Sequence, residues 1–259
     1  MHLIDVKSPA DLKGLSISEL TDLTAQARQA MMTKVSEQGG HCGPPMGAAE
    51  MIMALHYVFN SPVDKIVYDV SHQSYVHKMV TGRALAFLDH NHYDDVTGYT
   101  DPTESEHDFF NIGHTSTSIS LASGLATTRN LKGDSENIIA IIGDGSLSGG
   151  EAFEGLNYAA TLDSNMIIIV NDNDQSIAEN HGGLYRGLSE LRKTNGESSN
   201  NIFKALGLDY RFVAKGNDLE TLIDVFKDVK DIDHPIVLHI VTQKGKGYAI
   251  AEQNKEKFH

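Results

Sequence analysis

Four stretches of the chain are apolar at nearly every position, and between them apolar residues return every three or four places. Lys65–Val70, Asn137–Ile142, Met166–Val170 and Pro235–Thr242 are short for helices and too evenly apolar for strands with one wet face. They predict strands of a sheet covered on both sides. The helical repeats fall between them. Ser16-Ile17-Ser18-Glu19 forms a capping box, after which Leu20, Leu23, Ala27, Ala30, Met31 and Val35 share one face until Gly39-Gly40 stops the helix. A turn at His41–Pro45 leads into a second helix from about Met46 to Phe59. Further helices are predicted over Thr117–Asn130, Glu151–Thr161 and a segment opened by Asn217 and Glu220, with Leu219, Leu222, Ile223, Phe226 and Val229 on its apolar face. Asp89–Phe110 has neither period.

Strands this apolar, alternating with helices, predict an α/β fold: a mostly parallel central sheet with helices on both faces, in one domain over residues 1–259. Ligands of such sheets bind at the carboxyl ends of the strands. Polar loops follow Val70, Ile142 and Val170, so one site can gather all three.

Composition narrows the chemistry. With 40% hydrophobic and 22% charged residues the chain has material for a core, and a net charge of −14 argues against non-specific nucleic-acid binding. Cys42 is the single cysteine, which excludes an intramolecular disulfide and a thiolate zinc cluster. No apolar run approaches the ~18 residues of a membrane span, and no secretory leader opens the chain, so a cytoplasmic location is expected.

The most telling pattern is Gly143-Asp144-Gly145-Ser146 at the end of one strand, with Asn171-Asp172-Asn173 ending the next strand. Asp144 and Asn173 supply oxygen ligands for a hard cation that clamps a diphosphate. A dinucleotide fingerprint fits poorly, because Ser148 stands where its third glycine belongs and Asp144 would repel a bare pyrophosphate. An ordinary glycine turn with an exposed aspartate is the plain alternative.

Gly-Asp-Gly followed by Asn-Asp-Asn resembles the thiamine-diphosphate signature of transketolases, decarboxylases and their relatives. Asp69-Val70-Ser71-His72-Gln73-Ser74-Tyr75, His77-Lys78, Thr81-Gly82-Arg83, Glu104–Asp108 and Gly113-His114-Thr115-Ser116-Thr117-Ser118-Ile119-Ser120 narrow it. In that order they resemble the 1-deoxy-D-xylulose-5-phosphate synthases, and the likeness runs from about Gly14 to the last residue. The resemblance implies condensation of pyruvate with glyceraldehyde 3-phosphate, loss of CO₂, and use of thiamine diphosphate with Mg²⁺.

It also implies roles. Asp144, the Asn173 side chain and the Gln175 carbonyl would hold Mg²⁺; Gly145 and Ser146 would present N–H groups to the diphosphate at a helix start. Asn173, His72, Gly113, His114, Thr115 and Tyr248 match positions that line the cofactor, and His41 and His259 match catalytic histidines. Most of the thirteen histidines are ordinary, His77 being read as a neighbour of the site. Cys42 is read as a bystander. The acidic run Glu104–Asp108 is expected to be solvated, at most bracing the histidine-rich loop.

Three departures stand out. Family members continue into a pyrimidine-binding domain that activates the cofactor, whereas residues 244–259 resemble the start of a linker, so a partner chain carrying that domain and a homodimer are both expected. Ser71 occupies a place where the family commonly has glycine. Gly182–Asn200 is shorter than the corresponding loop of many relatives. Two other readings stay open: the amino-terminal subunit of a split transketolase-like enzyme, and a non-catalytic cofactor-binding remnant.

Overall fold

The computed structural model describes residues 1–259. Its strands are β1 (Lys65–Tyr68), β2 (Ile138–Gly143), β3 (Met166–Asp172), β4 (Asp209–Val213) and β5 (Pro235–Val241). They form one sheet in the order β1-β2-β3-β5-β4, parallel at every pairing. The helices are α1 (Ile17–Gln38), α2 (Gly43–Gly47), α3 (Ala49–Val58), α4 (Tyr75–Lys78), α5 (Leu85–Leu88), α6 (Ser118–Lys132), α7 (Gly150–Ala159), α8 (Gly183–Lys193), α9 (Ile202–Ala205), α10 (Leu219–Val229) and α11 (Ala249–Gln253).

The period of two along each strand divides the core. Ile139, Ile141, Ile167, Ile169, Leu238 and Ile240 face one side, where α1, α3 and α10 pack. Ile138, Ala140, Ile142, Ile168, Val170 and Val237 face the other, beneath α6, α7 and α8. Both faces are covered, which is why these strands carry so few polar residues. The apolar stripes of α1 and α3 are taken up by this core, with Leu20, Leu23, Met51, Ile52 and Leu55 fully buried.

Several boundaries moved for local reasons. α1 begins at the expected capping box, Ser16 accepting from the Glu19 N–H, and ends before Gly39, whose φ of 82° lies in the left-handed region. The α10 cap is Asp218, which accepts from Thr221 N, rather than Asn217. Asn217 instead ties the strand end to α2, donating to Gly47 O and accepting from Gln243 N. β1 stops two residues early because Val70 and Ser71 adopt φ of 57° and 69°.

Several elements have no counterpart in the sequence reading: the edge strand β4, the short helices α4, α5, α9 and α11, and α8, which lies in the segment read as a loop. The acidic run was expected to be solvated, at most bracing the histidine-rich loop; Glu106 is exposed, but Glu104 is half-buried and His107 and Asp108 are buried. Asp108 is 3% exposed, accepting from His77 Nε2 and from both Arg83 Nη atoms, and Glu104 pairs with the fully buried Lys78. Residues 244–259 fold back on the domain: Gly245 N donates to Gly43 O, Gly43 N to Phe258 O, and Cys42 N to His259 O.

Candidate active site

The loops after β1, β2 and β3 surround a cavity of about 300 Å³ at the carboxyl end of the sheet. Its walls include His41, His72, Thr115, Asp144, Gly145, Ser146, Asn173, Gln175 and His259. Each loop is held by its own device. Asp69, at the end of β1, accepts from Ser116 N and Ser118 N and so fixes the turn that carries Thr115. The Ser116 hydroxyl then donates to Ser146 O, joining that turn to the loop after β2. Gly145 is required by space, since a Cβ there would sit 2.6 Å from Ser176 Cβ.

Asp144 is 1% exposed. Burial, then the nearby charge of Asp172, pushes its carboxyl up to about 8. Burial works against ionisation of Asp172 as well, but His239 and Arg192 outweigh it and hold that carboxyl below its ordinary value. Asp172 accepts from His239 Nε2 at 2.7 Å and from Arg192 Nη1, and His239 Nδ1 meets Tyr210 OH at 2.8 Å. The pair therefore divides its labour: Asp172 is ionised and fully bonded, while Asp144 is the group that gains most from a cation.

Asn173 Oδ1, Gln175 Oε1, His72 Nδ1 and His259 Nδ1 are buried without a hydrogen-bond partner. Unpartnered acceptors beside a buried carboxylate fit a hard cation. No group of three or more His, Cys, Asp or Glu residues is placed to hold a metal. The donor set is instead one carboxylate with amide and main-chain oxygens, which suits Mg²⁺ sharing its shell with ligand phosphates rather than a transition metal.

Three imidazoles converge on the same cavity. The ring centroids of His41 and His72 lie 4.9 Å apart, those of His41 and His259 5.6 Å, and those of His72 and His259 6.1 Å. Burial, followed by the mutual repulsion of His41, His259 and Lys244, takes His72 down to about 3. Burial with Lys244 and His41 takes His259 to about 4, and burial alone lowers His41. All three are neutral near pH 7, able to accept a proton at one nitrogen and donate from the other.

Not every residue singled out from the sequence reaches the cavity. Gly113 and His114 are exposed beside it, with His114 Nδ1 turned to Thr115 O. Tyr248 packs its ring edge-on against Phe258 and does not line the walls. Gly145 and Ser146 lead into a single 3-10 turn, Ser146–Ser148, and α7 starts only at Gly150, so the expected helix start is two steps removed. His77 lies in the buried Asp108 cluster, and Cys42 rests its sulfur against Met46. Sequence reasoning missed Gln73, whose amide oxygen accepts from Asn171 Nδ2, and Asn180, whose amide reaches Asp144.

A family model described as 1-deoxy-D-xylulose-5-phosphate synthase matches residues 3–200 and 190–242. The chain is 43% identical over 293 residues to the 1-deoxy-D-xylulose-5-phosphate synthase of Caldanaerobacter subterraneus, covering 99% of this chain and 47% of that protein. It is 43% identical over 258 residues to the Listeria monocytogenes protein of the same name, covering 97% and 42%. It thus spans about half the length of the curated relatives it matches. Among solved structures it resembles a transketolase from Campylobacter jejuni, with a TM-score of 0.73 at 18% identity over 93% of this chain and 40% of that one. That likeness concerns the fold.

Proposed function

The chain belongs to the 1-deoxy-D-xylulose-5-phosphate synthase family, and from that premise we propose that it provides the diphosphate- and metal-binding half of a thiamine-diphosphate site. The reaction is condensation of pyruvate with glyceraldehyde 3-phosphate to 1-deoxy-D-xylulose 5-phosphate and CO₂. Thiamine diphosphate, when bound, supplies a nucleophilic carbon and an electron sink for the loss of CO₂. One observation carries the reading: a buried carboxylate, two orphaned amide oxygens and three neutral imidazoles meet in one cavity.

In this reading Asp144, the Asn173 side chain and the Gln175 carbonyl hold Mg²⁺, with Gly145 and Ser146 beside the diphosphate. Thr115 lines the cavity, and Gly113, His114 and Tyr248 belong to its surround by family likeness more than by position. His41 and His259 exchange protons with substrate oxygens, and His72, the most deeply depressed of the three, serves as a neutral hydrogen-bond partner. Activation of the aminopyrimidine end falls to a pyrimidine-binding domain, in a homodimer or a partner chain.

Calorimetric titration with thiamine diphosphate, with and without Mg²⁺, tests the half-site; binding that ignores the metal would sink it. Mixing with a pyrimidine-domain chain and measuring CO₂ released from pyruvate tests the rest. Robust turnover by residues 1–259 alone would overturn the half-site assignment.

A further inference from the structure

Resting on the metal site proposed above, we infer that Asn180 is a positioning residue whose amide fixes the rotation of the Asp144 carboxylate. Asn180 Nδ2 donates to Asp144 Oδ2 at 2.6 Å, whereas Asp144 Oδ1 has only a long contact from Asn173 N, at 3.4 Å. One oxygen is firmly held and the other is left for a ligand. The loosely held oxygen is on the side of Asn173, whose own Oδ1 is buried and unpartnered. A carboxylate that binds a cation through one oxygen is commonly oriented by a hydrogen bond to the other.

The direction of the Asn180 amide is set as well. Its Oδ1 accepts from Ser176 Oγ at 2.8 Å, which leaves the NH₂ group for Asp144. The turn behind it is pinned on both sides. Gln175 pairs with Glu179 across it, and the buried Lys244 ammonium donates to Ser176 O at 2.7 Å. Asn180 is thus a side chain held in place and aimed at the metal carboxylate from a segment outside both sequence motifs.

The test uses Asn180→Ala. With thiamine diphosphate present, Mg²⁺ and Ca²⁺ are titrated separately by calorimetry, and the melting of the metal-free chain is recorded. Freed from its restraint, Asp144 can turn to a bidentate pose, which Ca²⁺ accepts and Mg²⁺ resists. The expected result is a rise of about tenfold or more in the Mg²⁺ concentration at half-saturation, with a clearly smaller change for Ca²⁺. Ser176→Ala, which lets the amide rotate, moves the ratio the same way by less. An equal loss for both ions marks a merely structural role and overturns the inference, as does an unchanged Mg²⁺ requirement. Uptake of neither ion by the unaltered chain overturns the inference and the metal-site reading together.

Discussion

Two polar clusters, one in the segments that follow β1 and the other at the carboxyl ends of β2 and β3, are built on opposite principles. In one, Asp108 sits at the centre of a buried brace: each of its oxygens has at least two donors, from His77, Arg83 and Asp101 N. In the other, around Asp144, the acceptors Asn173 Oδ1 and Gln175 Oε1 have none. Both clusters are buried and both contain carboxylates and histidines. Both oxygens of Asp108 are satisfied within the chain, although Arg83 Nε beside them has no partner, so Asp108 is held well below the usual carboxylate range, with His77 and Arg83 overcoming burial. The two amide oxygens of the cavity cluster are not satisfied, and Asp144 is pushed the other way. A satisfied cluster stabilises the fold; an unsatisfied one is prepared for something that is not protein.

The comparison breaks most sharply by substitution at the two aspartates. Asp144→Ala is expected to lower Mg²⁺-dependent thiamine-diphosphate affinity by about 100-fold or more, given that ligand-supporting residues alone are worth 10–100-fold. The melting temperature of the metal-free chain should hold or rise, because a buried carboxylate facing Asp172 is removed. Calorimetry and thermal melting check the two halves, and a fall in metal-free stability would contradict the contrast.

Asp108→Ala should do the reverse. It leaves His77 buried without its carboxylate and Arg83 with Glu104 as its only one, at a cost of about 3–5 kcal/mol, or roughly 10 °C in melting temperature for a chain of this size. Residual folded protein should keep its Mg²⁺ requirement. Calorimetric unfolding measures the first, and a ligand titration at low temperature the second.

Acid titration sharpens the same contrast. His77 is depressed to about 4 by burial, with Asp108 partly opposing, and His72 and His259 lie at about 3 and 4. Folded values below the unfolded value of ~6.5 mean that the unfolded chain binds more protons as pH falls. Their stability contribution is present above about pH 6.5 and is lost as pH drops toward 4, at about 1.4 kcal/mol per pH unit for each histidine fully in that window. Asp108 adds a further loss below ~3.9. Asp144 runs the other way, its contribution being present below ~3.9 and lost as pH rises through about 8. Urea unfolding from pH 8 to 4 should therefore show a steeper acid slope in Asp144→Ala than in the unaltered chain. Equal slopes would remove Asp144 as an opposing group.

How far this division could be read in advance follows from range. The four apolar strands, the α1 capping box and the Asp144–Asn173 pairing are local or strongly periodic, so the sequence carries them. β4 was lost because Asp209–Val213 is an edge strand, exposed or half-buried except at Val213, without a full apolar run. α8 starts on glycines with no capping side chain, and only Leu184, Leu188 and Leu191 at helical spacing mark it. Of the brace only a bracing role for the acidic run could be read; its partners could not, since His77 and Asp108 are 31 positions apart and nothing in their neighbourhoods says that they meet. The Asp144 cavity was legible through its motifs, while Asn180, in a stretch to which neither an element nor a motif was assigned, was not.

The smallest expected effect lies at the hinge between the clusters, Ser71. Its φ of 69° is costly for a side-chain-bearing residue, roughly 1–2 kcal/mol. Its hydroxyl offsets this by donating to Ile112 O at 2.7 Å and accepting from Thr100 N at 2.9 Å, both buried. Ser71→Gly relieves the backbone but leaves Thr100 N without a partner, a loss of about 1–3 kcal/mol, so the two changes nearly cancel and stability should shift by no more than about 1 kcal/mol. Ser71→Ala keeps the strained backbone and loses both bonds, so it should be the less stable of the two by about 1 kcal/mol or more. Paired denaturant titrations decide it. An alanine variant as stable as the glycine variant would mean that the left-handed turn before His72 is not strained, and that serine stands there for its hydroxyl alone.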